Sequence, residues 1–251
     1  MSKKNIREHW NIDALAYQKR EKLSTEYVLY GPHCPTEDDL NLLGDVRGKE
    51  VIELGCGGAQ HSIALAKKGA NCTGIDLSEE QLKFAKKLIE ENKVKVKLIL
   101  GDIENLDMIE DNLFDTAFSA FALDWVQDLD KVFQEAYRIL NDAGIFVFSM
   151  GHPFYNCLGN YPNPRDLKIK LGYFQRNILE KDDNSGITMN FVLPTISDII
   201  NSLINTGFVI EKIVEPEPVE DKFMDGTSHD YYPVEILKTV PATIIIKVKK
   251  K

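Results

Sequence analysis

The residues with the clearest chemical potential lie in the run Val51-Ile52-Glu53-Leu54-Gly55-Cys56-Gly57-Gly58-Ala59-Gln60. An apolar strand-like stretch enters a glycine turn and leaves into a helix. Such a turn lets the backbone approach a ligand closely and points helix N-terminal amides at it. Two acids downstream extend the pattern. Asp76 closes Thr73-Gly74-Ile75-Asp76, where a carboxylate can accept both hydroxyls of a ribose. Asp102 follows Leu100-Gly101 and can accept a hydrogen bond from an exocyclic amine such as that of adenine. Glu53, Asp76 and Asp102 therefore end three successive strands. Each alone is explained as a cap or a solvated turn; together they point to a nucleoside pocket.

The loop also discriminates between nucleosides. A dinucleotide fold places a third glycine where this chain has Gln60, and Glu53 stands poorly beside a pyrophosphate. A carboxylate near a sulfonium and its amino group makes better electrostatic sense. No Tyr-x-x-x-Lys pair for hydride chemistry occurs in the chain. The dehydrogenase reading falls behind.

The elements that must hold these residues follow from the apolar pattern. From about residue 50 to 150, strand-like and helix-like segments alternate, as in a parallel sheet covered by helices. Residues 50–54 read as a buried strand, 60–68 as a helix and 71–75 as a second strand. Ser78-Glu79-Glu80-Gln81 has the form of a capping box and opens a helix with Leu82, Ala85 and Ile89 on one face. Residues 94–100, 114–119 and 145–150 read as further strands, and a helix over 129–140 buries Val132, Phe133, Ala136 and Leu140. Short crossovers need right-handed connections, so the fold class is α/β, a doubly wound Rossmann-like sheet. Residues 151–190 are rich in Gly, Pro, Asn and aromatics, with a hairpin expected near 170–192. Thr195-Ile196-Ser197-Asp198 starts a helix stopped by Gly207, and 208–214 and 242–248 suit closing strands. The chain is read as a single domain over 1–251. It comprises an N-terminal helical cover (1–45), a cofactor-binding core (46–150), a substrate-side insertion (151–193) and a closing helix and strands (194–251). Cover and insertion are expected over the carboxyl edge of the sheet, where open α/β sheets bind ligands.

Composition sets the outer bounds. The 251 residues are 43% hydrophobic and 27% charged, the balance of an ordinary globular protein. No apolar run approaches the roughly 20 residues that cross a bilayer, and the basic N-terminus lacks a signal-peptide core, so a cytoplasmic protein is expected. The net charge of -9 argues against bulk affinity for nucleic acid. Cys34, Cys56, Cys72 and Cys157 lack ligand spacing and read as reduced, small apolar residues; no metal is expected.

With these motifs in order, the chain resembles the class I S-adenosylmethionine-dependent methyltransferases, in particular the bacterial and archaeal small-molecule branch related to the ubiquinone/menaquinone enzymes. The resemblance covers roughly residues 27–155. It rests on Tyr30-Gly31-Pro32 with Pro35-Thr36-Glu37, the glycine loop, Gly74-Ile75-Asp76-Leu77-Ser78 with Gln81-Leu82, and Gly101-Asp102-Ile103. Phe114-Asp115 and Phe148-Ser149-Met150-Gly151-His152-Pro153 complete it. It implies a seven-stranded sheet with an antiparallel last strand and S-adenosyl-L-methionine as cofactor. Gly55 and Gly57 would pass under the methionine part, Asp76 would hold the ribose, Leu77 would pack on adenine, and Asp102 with Ile103 would contact it. Ser119, Ala120 and Phe121 would flank the sulfonium. Tyr30, Glu53, Gln60 and Gln81 complete the expected cofactor set. Two departures stand out: Ala59 replaces the usual third glycine, tolerable if its φ is negative, and Asn141-Asp142-Ala143-Gly144 replaces Lys-Pro-Gly-Gly.

Methyl transfer is an in-line displacement, helped by alignment and exclusion of water. A base assists where the acceptor is a hydroxyl or a protonated amine. His152, just after the fifth strand, is the best-placed candidate; the alternative is a His-Pro turn that only shapes the chain. Tyr30 is the second catalytic candidate and His33 lies beside it in the cover; His229 with Tyr231 and Tyr232 is expected on the surface, and Asp124-Trp125 as one pocket wall. Tyr155, Tyr161, Tyr173 and Phe174 of the insertion could stack on a flat or apolar substrate. The leading expectation is a small-molecule acceptor. The alternatives are an enzyme acting on RNA or protein, which would show a basic stripe, and a non-catalytic protein binding S-adenosylmethionine or S-adenosylhomocysteine.

Overall fold

The computed structural model describes residues 3–159, 162–182, 185–219 and 232–251. Its centre is a seven-stranded sheet in the order β3-β2-β1-β4-β5-β9-β8. The parallel half is β1 (Glu50–Leu54), β2 (Asn71–Asp76), β3 (Val96–Leu100), β4 (Phe114–Ala120) and β5 (Leu140–Gly151). Strand β9 (Thr243–Lys249) runs antiparallel between β5 and β8 (Val209–Val214). The order steps outward from β1 to β3, then restarts at β4. A crevice therefore opens at the carboxyl ends of β1 and β4.

Alternation along each strand divides its residues between two cores. Ile52, Phe146, Phe148, Ile244 and Ile246 point to one face and pack with Val132, Phe133 and Ala136 of α5 (Leu129–Ile139) and Ile199 and Leu203 of α7 (Ile196–Thr206). Val51, Phe118, Val147 and Ile245 point to the other, against Ala64 and Leu65 of α3 (Gln60–Lys67) and Leu42 and Leu43. The caps are those the side chains dictate: Ser78 accepts from Gln81 N at the start of α4 (Glu79–Asn92). Thr195 and Asp198 form a reciprocal capping box, and Gly207 ends α7 at φ 108.

Two boundaries differ from the sequence reading. Strand β3 begins at Val96 rather than 94 because Lys93 takes a left-handed φ of 56 to end α4. Strand β5 reaches back to Leu140, which pairs with Phe114 before a register shift to Ile145↔Thr116.

The cover is α1 (Lys3–Glu21), which lies against α4, and α2 (Glu37–Leu40). Ser78 Oγ donates to Asn11 Oδ1 at 2.7 Å, and Asn11 Nδ2 donates to Glu79 at 3.0 Å. The expected hairpin is β6 (Asn177–Lys181) with β7 (Thr188–Val192), tied to α1 where Asn5 Nδ2 donates to Thr188 O. Helices α6 (Pro153–Asn156) and α8 (Val234–Leu237) pack together through Tyr155, Ile236 and Leu237. No helix among the described residues is long and apolar enough to cross a membrane.

Candidate active site

Cover, hairpin and sheet edge enclose a cleft of about 1260 Å³. This exceeds the roughly 300–1,000 Å³ of an ordinary single-ligand pocket. Its floor is the row of strand ends, which the sheet order places side by side: Gly101-Asp102 after β3, Asp76-Leu77 after β2, Gly55 and Gly57 after β1, Ala120 and Phe121 after β4, and Gly151 at the end of β5.

The loop after β1 is shaped by close approach. Gly55 sits at φ 74, and a Cβ there would collide with the Ala122 Cβ. Gly57 N donates to Asp76 Oδ2 at 2.8 Å, so the loop and the end of β2 are locked together. The condition attached to Ala59 fails: its φ is +58, and the residue is wholly buried as the first cap of α3. A non-glycine residue in that region is held at a cost of about 1–2 kcal/mol.

Of the residues expected at the site, Gly55, Gly57, Asp76, Leu77, Gln81, Asp102, Ile103 and Ala120 line the cleft. Asp76 Oδ1 also accepts from Ser78 N at 2.9 Å. Burial pushes its carboxyl up to about 6, against the pull of the Ser78 and Gly57 amides. Asp102 is paired with Lys3 Nζ of α1 at 2.5 Å, and Lys3 also reaches Glu104 at 3.1 Å. Burial opposes the charge on Lys3, but the two carboxylates prevail and raise its pKa.

Tyr30, Glu53, Gln60, Ser119 and His152 do not line the cleft, and each has an internal partner. Tyr30 is fully buried and its hydroxyl donates to Glu37 Oε2 at 2.5 Å, where burial and the carboxylate hold it protonated. Ser119 Oγ donates to Leu54 O at 2.8 Å. His152 caps α6: its Nδ1 accepts from Phe154 N at 3.1 Å, leaving Nε2–H to donate to Glu215 at 2.8 Å. With its lone pair engaged, it is no free base. His33 is likewise buried off the wall. Phe174 is 80% exposed and Tyr173 accepts from Ile196 N, so neither lines the cleft, whereas Tyr155 and Tyr232 do, stacked at 5.5 Å. Tyr161, His229 and Tyr231 lie outside the described residues.

Glu53 and Gln60 work one step behind the wall. Glu53 accepts from Ser62 N at 2.9 Å, Ser62 Oγ at 2.5 Å and His61 Nδ1 at 3.2 Å. This orients His61, which does line the cleft and whose buried Nε2 has no hydrogen-bond partner among the described residues. Gln60 Nε2 donates to Gln18 Oε1 at 2.5 Å, and Gln18 Nε2 donates to Gln81 Oε1 at 2.8 Å. This buried ladder pins α1 across the glycine loop.

Sequence reasoning missed the inner face of α1. His9, Trp10, Asp13, Tyr17 and Arg20 all line the cleft. Trp10 meets Trp125 edge-on at 4.8 Å and Tyr17 at 5.1 Å, and Trp125 meets Phe191 of the hairpin at 5.2 Å. The spacing was a usable signal, since these positions share one face of a helix.

Residues 52–148 match the family described as a methyltransferase domain. An uncharacterized protein of Haemophilus influenzae is 29% identical over 187 residues, covering 70% of this chain and 74% of that one. A ubiquinone biosynthesis O-methyltransferase of Actinobacillus pleuropneumoniae is 34% identical over 155 residues, 55% of this chain and 65% of that enzyme. A malonyl-[acyl-carrier protein] O-methyltransferase of Hamiltonella defensa is 34% identical over 110 residues, 44% of this chain and 41% of that enzyme. The chain thus spans less than two thirds of these two named enzymes. A crystal structure described as an S-adenosylmethionine-dependent methyltransferase from Listeria monocytogenes superposes with a TM-score of 0.68 at 26% identity, covering 86% of this chain and 96% of that one.

Proposed function

We propose, from the premise that this chain is a class I S-adenosylmethionine-dependent methyltransferase, that it transfers a methyl group to a small-molecule acceptor held between α1 and the β6–β7 hairpin. The observation that carries the reading is the half-buried Asp76 carboxylate at the rim, bonded to the glycine loop and facing a cleft with room for two ligands.

The donor set fits the cofactor. Asp76 would take the ribose hydroxyls, and Asp102, Leu77 and Ile103 would surround the adenine. At the methionine end, His61 lines the cleft with Gly55 and Gly57; its Nδ1–H is given to Glu53, so its unpartnered Nε2 is an acceptor that an amino group would complete. Bound there, S-adenosylmethionine supplies a methyl carbon made electrophilic by its sulfonium. The chain's own residues align that carbon and exclude water: Gln18 fixes the cover over the loop, and the Trp10–Trp125–Phe191 wall closes the acceptor side. Glu53 and Gln60 act as positioning residues through His61 and Gln18.

A small acceptor is favoured by the covered cleft and by acidic rather than basic residues around it, which would repel a polyanion. A screen of metabolite extracts for S-adenosylmethionine-dependent mass gain tests the reading. Transfer that disappears in Asp76→Ala supports it; cofactor binding without transfer to any extract component would make the chain a binding protein.

A further inference from the structure

Resting on that reading, we infer that the acceptor is an organic amine, taken up as its ammonium form by Asp124 against the aromatic wall. The rim order separates the two ligands. The cofactor residues follow β3, β2 and β1, whereas Asp124 lies on the β4–β5 side, two residues beyond the Ala122 that abuts Gly55. An acceptor must approach from there.

Among the described residues, carboxylates outnumber Lys and Arg side chains on the cleft wall by eight to three. Most of those acids already have strong donors. Lys3 holds Asp102 and Glu104, Arg20 holds Asp13 and Glu21, and Asp76 takes two backbone amides. Asp124 differs. Among the described residues both its oxygens share a single donor, Gly151 N, at 3.1 and 3.0 Å, which leaves acceptor capacity on a side chain that lines the cleft. Burial also pushes its carboxyl up to about 6. Next to it in the chain, Trp125 stands on the cleft wall, stacked on the His9 ring at 5.2 Å and in edge contact with Trp10 at 4.8 Å and Phe191 at 5.2 Å; the aromatic rings of such a wall attract a cation.

A half-buried carboxylate with one neutral donor is completed by a cationic N–H donor and made worse by an anion. An ammonium fits; a carboxylate-bearing acceptor does not. Asp124 is also placed to take the proton that nitrogen must lose before methylation: the N–H bond breaks with its electron pair left on nitrogen and an Asp124 oxygen takes the proton, and that pair then forms the N–C bond as the methyl's C–S bond breaks with its electrons leaving on sulfur.

The test uses the full chain saturated with S-adenosylhomocysteine and three probes of one shape: tryptamine, tryptophol and indole-3-propionate, with affinities read by ligand-observed NMR. Tryptamine should bind at least about tenfold more tightly than indole-3-propionate, with tryptophol between them. Asp124→Asn, which keeps an acceptor for Gly151 N, should lose that preference while S-adenosylhomocysteine affinity holds; Asp124→Glu should retain it. Equal or tighter binding of the propionate to the wild-type chain overturns the inference, as does an undiminished amine preference in Asp124→Asn. Failure of S-adenosylhomocysteine to bind the wild-type chain at all would instead remove the cofactor reading beneath it.

Discussion

Lowering the pH should loosen the cofactor through Asp76. In the ligand-free protein, burial holds this carboxyl at about 6, above its ordinary 3.8, although Gly57 and Ser78 amides favour the ionised form. Ribose hydroxyls donating to it add to that favour and draw its pKa down. The sign follows: as pH falls through about 6 the ligand-free protein takes up a proton that binding must expel. Affinity is therefore level above that pH and falls by up to tenfold for each unit below it. Between about pH 7.5 and pH 5 the loss comes to roughly tenfold, about 1.4 kcal/mol. Titration calorimetry with S-adenosylhomocysteine across this range measures it, because that ligand has no sulfonium charge of its own to complicate the slope. Asp76→Asn, fixed neutral, should bind about 2–4 kcal/mol more weakly at neutral pH and show no slope. A level wild-type curve, or a slope that survives in Asp76→Asn, would refute the reasoning.

Three further outcomes follow from the packing around the loop. Gln18→Ala strands Gln60 Nε2 and Gln81 Oε1 in a buried site, at about 1–3 kcal/mol each, so Tm should drop by roughly 4–24 °C in calorimetry; a drop under about 2 °C would mean the ladder holds nothing. Ala59→Gly relieves a left-handed alanine but loses a buried methyl and gains unfolded-state freedom, so the terms nearly cancel and Tm should stay within about 3 °C; a fall beyond about 6 °C would show that φ +58 carries no strain there. His152→Ala removes a cap worth about 1 kcal/mol and should lower Tm by about 2–4 °C with S-adenosylhomocysteine affinity unchanged; tenfold weaker binding would restore it to the site.

The sheet and its glycine loop were legible because both depend on local signals. Short strand-like runs alternating with helix-like segments mark β1 to β5, Ser78 and Thr195 cap their helices by their own chemistry, and Gly55 sits where a Cβ would meet Ala122. Asp76 and Asp102 were legible because the end of a strand fixes their place. What failed was side-chain direction. Ser119 and Ala120 are adjacent, yet the pleat sends Ser119 inward to Leu54 and leaves Ala120 on the wall. Tyr30 and His152 sit at the rim in sequence, but Glu37 and Glu215 claim their polar atoms. Gln18 and His61 went unread for the converse reason. Their roles are set by partners distant in the chain or by a lining that only the folded cover creates: Gln18 joins residues 42 and 63 positions away. The inner face of α1 mixes Trp, Tyr, His and Asp, so it forms no apolar stripe, although its spacing is helical.

In the proposed function, the sheet edge offers Asp76 to a ribose and the Asp102–Ile103 turn to an adenine. A crystal structure of the chain with S-adenosylhomocysteine measures this directly. The ribose hydroxyls should lie within hydrogen-bond distance of the Asp76 oxygens, with the homocysteine end at Gly55, Gly57 and His61. A ligand bound with its ribose on the β4–β5 side, beside Asp124, would contradict it.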